Sequence, residues 1–203
     1  MDYLVNVKIK WQQLIIGSAL LIMGFGLLSL FEWTWWALFF TSILAWVVVF
    51  GPASKEIFTF PRKFWVIPCA ALFYLIFGGV ISALTKSIGF DWTSNPATGN
   101  LMLLIFKLPF MLMGEELLGI GVLEVAHNKG FSLTISNLIS ALVFGLMHVF
   151  VYWDGSIIST VIHVLLLQGA ARLIFNYVYI ITGRSIWGSW CTHVLVDLVA
   201  LSL

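Results

Sequence analysis

Charge is what this sequence has least of. Only 9% of its 203 residues are Asp, Glu, Lys or Arg, where a soluble domain carries roughly a quarter. That scarcity excludes an ordinary water-facing surface. The formal net charge of +1 says nothing about nucleic acid, and no basic run suggests it, so no nucleic-acid partner is expected. Cysteine is nearly absent. Cys69 and Cys191 each lie in an apolar stretch, which excludes a disulfide framework and reads as two small hydrophobes within helices. No internal repeat and no low-complexity segment is visible. No small-residue cleavage site follows the first apolar run, so that run is expected to remain as a helix.

What is present in their place is hydrophobicity: 61% of residues, with a mean hydropathy of +1.05. The chain reads as an all-α, polytopic transmembrane helix bundle forming one membrane domain. Its length suits about six to eight helices of some 20 residues each. Spans are expected at about 14–31, 33–50, 65–85, 101–126, 131–152 and 186 to the end, with 156–181 forming one long helix or two short ones meeting near Gly169. The segments 51–64 and 86–100 have the turn-forming composition of loops. The many tryptophans near span ends suit the headgroup layer. With about seven spans, Lys8, Lys10, Lys55, Arg62, Lys63, Lys129 and Arg184 fall on one side and Lys86 on the other. The positive-inside rule then makes the heavily basic side cytoplasmic.

The halves differ in character. Residues 1–100 read as transmembrane helices and loops, whereas the spans of 101–203 carry ionisable groups. Glu115 and Glu116 sit inside FKLPFMLMGEELLGIGVL, and one ionised group at the centre of a bilayer helix costs roughly 2.5–3.5 kcal/mol on insertion scales. Such groups face a protein interior or a wet cavity and are a functional-site hypothesis by default. His148, His193 and Asp197, in other apolar stretches, are candidate partners. If helices four and five turn near residue 129, Glu115 and His148 differ in depth by only about 7 Å at 1.5 Å per residue. His193 and Asp197 are four apart and share a helix face, so Asp197 can orient or polarise the imidazole. Phe144, four before His148, is expected to pack on the wall beside it. A carboxylate out of bulk water can act as general base on a water molecule, and imidazoles can orient that water or donate to an oxyanion. No cofactor is required, although zinc at Glu115, His148 and His193 is an open alternative.

Other polar groups have plainer readings. His163 is expected as a satisfied helix-contact residue and His127 as a boundary residue. Glu124 and Lys129 are expected in a solvated turn, Lys107 to snorkel to the interface, and Tyr152, Trp153 and Asp154 in an interfacial turn.

Three motifs, in order and inside spans, resemble those of the CPBP intramembrane proteases, the CAAX prenyl protease and bacteriocin-processing (Abi) family. GEELLGIGVL resembles the first motif, EExxxR; FGLMH at 144–148 matches FxxxH; HVLVD at 193–197 matches a histidine followed four residues later by Asn or Asp. The resemblance covers about residues 100–200. It implies a CAAX-protease-like core in 101–203 and a glutamate-dependent endopeptidase cutting peptide or membrane-protein substrates in or near the cell membrane, with lipid as its surroundings. By position it implies Glu115 as the water-activating base with Glu116 beside it. His148 would help hold the water, and His193 with Asp197 would stabilise the oxyanion. One position departs: Ile120 stands where the family has arginine, and Arg172, inside a later span, is the candidate to replace it. An inactive relative serving as an immunity factor or partner scaffold is the alternative, and an ion or proton relay a third class; a transporter would more often show paired repeats.

Overall fold

A computed structural model describes residues 4–92 and 101–202, without the side chains of 101–104. Among these residues there are helices and no strands, as lipid demands: in a segment without water, a helix satisfies its own backbone N–H and C=O groups. Helices α1 (Trp11–Leu30), α2 (Ala37–Phe50) and α3 (Val66–Ser87) precede α4 (Leu101–Asn128). Then follow α5 (Leu133–Met147), α6 (Ile157–Val164), α7 (Ala170–Ile181) and α8 (Ile186–Ala200). The loop expected at 86–100 lies partly outside the described residues.

The region 156–181 is one stretch, not two crossings. A single π turn, Leu165–Gly169, joins α6 to α7, so Ile157–Ile181 runs for 25 residues. With α1, α2 extended to Ile57, and α3, it is long and apolar enough to cross a membrane. The 28-residue α4 carries the glutamates, and α5 and α8 are shorter apolar helices of 15 residues. Together they give a multi-pass integral membrane bundle. The expectation of a fifth helix reaching 152 is corrected. His148 is the C-cap of α5, and its ring bonds back to the Phe144 carbonyl at 2.8 Å, after which residues 148–156 fold into turns.

Packing follows the distribution of small and polar residues. Most of α1 and α3 is turned outward with exposed apolar side chains, as expected of lipid-facing helices. Helix α2 is locked onto α4 by buried hydrogen bonds. The Ser42 hydroxyl donates to the Gly114 carbonyl at 3.1 Å, and Trp46 Nε1 donates to the Leu117 carbonyl at 2.7 Å. Gly114 permits this approach, because a Cβ there would lie 2.8 Å from the Phe39 backbone nitrogen and 2.9 Å from the Leu38 carbonyl carbon. Backbone cannot swing aside as a side chain can, and overpacking of this kind costs about 1–3 kcal/mol. Gly114→Ala is therefore expected to lower the thermal unfolding midpoint in detergent. Gly26→Ala, with nothing within 4 Å of its added carbon, serves as control; equal midpoints for the two variants would contradict this packing.

The basic connections gather at one end of the bundle. Arg62 N–H donates to the Thr182 carbonyl at 2.8 Å, and the Ser185 hydroxyl to the Thr59 carbonyl at 2.5 Å. Asn128 Nδ2 donates to the carbonyls of Leu4, Val5 and Val7, and Lys129 Nζ to that of Ile9. The solvated-turn reading of Glu124 is overturned. Its carboxylate is fully buried, with Arg184 Nη1 at 2.6 Å from each oxygen and the Tyr179 hydroxyl at 2.9 Å. A carboxylate so near a helix end is withdrawn from water because α7 supplies the Tyr179 hydroxyl and the turn after α7 supplies the Arg184 cation.

Candidate active site

Glu115 and Glu116 are neighbours on α4, and adjacent helix residues point about 100° apart. Their surroundings differ accordingly. Glu116 is fully buried and clamped by Arg172 of α7, with Nη1 to Oε1 at 2.9 Å and Nη2 to Oε2 at 2.8 Å. His193 Nδ1 of α8 lies 2.9 Å from Glu116 Oε1. The Glu115 side chain keeps 14% exposure and turns into a cavity of about 510 Å³ shared with His148, His193 and Asp197.

Arg172 reaches Glu116 because Gly119 lies in its path without a side chain. A Cβ at 119 would stand 2.6 Å from Arg172 Cδ and 2.7 Å from Nη1. The guanidinium is flanked by aromatic rings, 5.5 Å from the Phe144 centroid and 5.6 Å from that of Phe175, an arrangement that offsets part of the cost of burying its charge. Ile120 meanwhile is fully buried in the apolar cluster of Leu117, Leu123, Tyr179 and Ile186. The cation on Glu116 thus comes from another helix than α4.

Partner types fix the ring tautomers. His148 Nδ1 faces the Phe144 carbonyl, which can only accept, so Nδ1 carries hydrogen. In the neutral ring Nε2 then presents a lone pair. The Phe144 ring lies 4.7 Å from that of His148, on the wall where the four-residue spacing places it. His193 Nδ1 likewise donates to the Glu116 carboxylate. Its Nε2 is 4.0 Å from Glu115 Oε2 and 3.8 Å from Asp197 Oδ1. Those separations exceed direct hydrogen bonds.

No three His, Cys, Asp or Glu side chains among the described residues stand close enough to share a metal ion.

Some cavity residues escaped the sequence reading. His163 is not a satisfied helix contact. It is almost wholly buried, stacks on Trp92 at 4.5 Å with the rings 2° from parallel, and lines the same cavity. Among the described residues neither His163 Nδ1 nor Trp92 Nε1 has a hydrogen-bond partner. Tyr152, expected at an interface, is buried, lines the cavity, and sets its ring 4.9 Å from that of His163. The signal that could have found them is positional: Trp92 and Tyr152 follow helix ends, and His163 lies nearly two turns into the stretch Ile157–Ile181. Asp154 does organise a turn, accepting from Ser159 Oγ at 2.5 Å, Ser156 N–H at 2.9 Å and Thr160 Oγ1 at 2.8 Å. The Ser159 bond first, with the others, holds that carboxyl below its usual range. Tyr74 Oη donates at 3.3 Å to the Leu167 carbonyl inside the π turn, and such turns are frequent at functional sites.

A membrane helix bundle that encloses carboxylates and imidazoles in one internal cavity defines a class, that of multi-pass proteins with their polar chemistry inside the bilayer. The family model for Type II CAAX prenyl endopeptidase Rce1-like proteins matches residues 97–199. That is just over half of the chain, and the chain belongs to this family, one of intramembrane CAAX-type endopeptidases. No curated protein and no solved structure matches the chain.

Proposed function

We propose that this chain is a glutamate-dependent intramembrane endopeptidase that hydrolyses a peptide bond in or near the membrane, with 101–203 as its catalytic core. The observation that carries the reading is the unequal treatment of the paired glutamates. Glu116 is committed to Arg172 and His193, whereas Glu115 faces the cavity with His148 and His193 nearby.

In this scheme Glu115 takes a proton from water, and His148 Nε2 accepts the water's other hydrogen and orients it. The resulting hydroxide adds to the substrate carbonyl, forming the C–O bond and a tetrahedral oxyanion. His193, aimed by Glu116 through Nδ1, donates from a protonated Nε2 to that oxyanion, with Asp197 facing the same nitrogen. Collapse breaks the C–N bond, and Glu115 returns its proton to the departing amine. Arg172 acts one step removed, positioning Glu116 and through it the imidazole. The scaffold alternative drew its support from Ile120. The Arg172 guanidinium on Glu116 supplies a cation from α7 and weakens that argument.

His148→Ala tests the scheme. The imidazole hydrogen-bonds to a carbonyl of its own helix turn, so membrane insertion should persist, with a modest loss of thermal stability from its ring contacts with Phe25 and Phe144. Cleavage of a membrane-anchored peptide by the purified protein in lipid should fall by about 10²-fold or more, the lower range of acid–base contributions. Turnover equal to that of the unsubstituted protein would remove His148 from the reaction.

A further inference from the structure

We propose that a groove bordered by α1 and α5 and floored by α2 and α4 holds one acyl chain of an anionic phospholipid, whose phosphate is bound by Lys129. The groove is separate from the cavity of Glu115, and the two share no lining residue.

Its volume is about 350 Å³. Trp11, Leu14 and Leu21 of α1 form one side and Ile139 of α5 the other. Trp46, Val49, Gly121 and Val125 lie between them. Of all the lining residues only Lys129 is charged.

The groove has a polar end and a blind end. At the first, Trp11 opens α1, Phe50 closes α2 and Lys129 follows α4. Lys129 Nζ lies 5.4 Å from the centre of the Trp11 ring and donates to the Ile9 carbonyl at 2.9 Å. Tryptophan and lysine together at a span end belong at the headgroup layer. From Trp11 to Leu21 the wall advances by about 15 Å at 1.5 Å per residue. That is half of the roughly 30 Å hydrocarbon core. Beyond Leu21 the walls meet: Phe25 of α1 packs on the cluster of Leu38, Leu118 and Phe144, with its ring 5.6 Å from that of His148. The groove is therefore one leaflet deep.

Depth selects the occupant. A transmembrane helix needs a seat along the whole core, whereas a phospholipid chain fills the half belonging to its own leaflet. Charge selects the headgroup. An ammonium carries three donors, and the bond to Ile9 uses one of them. Among the described residues no carboxylate pairs with Lys129; Glu124, the nearest in sequence, is held by Arg184. Lys10, beside Trp11 and exposed, adds a second cation at this height. A phosphate there gives Lys129 its missing counter-ion, and a zwitterionic headgroup brings a cation of its own to compete.

Native mass spectrometry of the purified protein in detergent tests this, with phosphatidylglycerol and phosphatidylcholine of identical acyl chains as probes. Phosphatidylglycerol should bind about fivefold more tightly, the worth of one lysine at an anionic surface. Lys129→Gln should abolish the difference and Lys129→Arg, which keeps the charge, should preserve it. Ser18→Trp places a bulky ring in the groove from an exposed position and should weaken binding of both lipids. Equal binding of the two headgroups, or a preference that survives Lys129→Gln, would overturn the proposal. A preference that survives Ser18→Trp would put the chain elsewhere and overturn the groove as its seat. Glycerol phosphate should not displace the lipid; displacement would mean that the site takes a free phosphate. A dimer in lipid nanodiscs that Ser18→Trp converts to a monomer would place a second copy in the groove, again overturning the proposal.

Discussion

Replacing Glu115 with glutamine is expected to reduce peptide cleavage by about 10²–10⁴-fold, the usual contribution of a positioned general base, with protein level and membrane insertion unchanged. Gln keeps the size and hydrogen-bonding capacity of the side chain and removes only its capacity to take a proton. The fold should tolerate it, because the Glu115 carboxylate is not an anchor. Its closest charged neighbour is His193 Nε2 at 4.0 Å, and a neutral amide is easier to keep out of water than an ionised group. The measurement is complementation of a deletion strain by the Gln variant, with immunoblotting for abundance, alongside cleavage by purified protein. A scaffold would keep its phenotype. Full complementation at normal abundance would defeat the protease reading and promote the binding alternative.

Arg172→Met should have the largest effect on stability. Removing one partner of a fully buried, bidentate pair leaves the Glu116 charge with only the His193 Nδ1 hydrogen bond, at a cost of up to about 3–5 kcal/mol. The variant should unfold at markedly lower temperature in detergent or fail to accumulate. Adding Glu116→Gln should restore much of the loss, because no buried charge is then left alone, and the amide oxygen can still accept from His193 Nδ1. Arg172→Lys should lie between, since an ammonium cannot reproduce two parallel N–H···O bonds. If the single and double variants proved equally unstable, the ion pair would not be what Arg172 contributes. Activity separates the arginine's roles: a stable double variant that cleaves slowly marks Arg172 and Glu116 as positioning residues for the imidazole.

Residue types at helical spacing were enough to place Glu115, Glu116, His148, His193 and Asp197 in membrane helices, because an ionisable group in an apolar run has few places to go. Depth along a hairpin and the four-residue spacings likewise needed only helix geometry. The misreadings of Glu124, Tyr152 and His163 share one cause. Each was judged from its own segment, while its burial is decided by a neighbour distant in sequence: Arg184 and Tyr179 for the first, His163 for the second, Trp92 for the third. No local pattern encodes such pairings.

The sequence by itself determined the membrane class, the all-α architecture and the family, since these follow from composition, periodicity and motif spacing along one dimension. Only the tertiary structure decided which glutamate is free and where the missing cation comes from. The physical reason is packing: Gly119 leaves room for Arg172 to cross from α7 to Glu116, and an approach between helices 56 residues apart in the chain exists only once they are folded together.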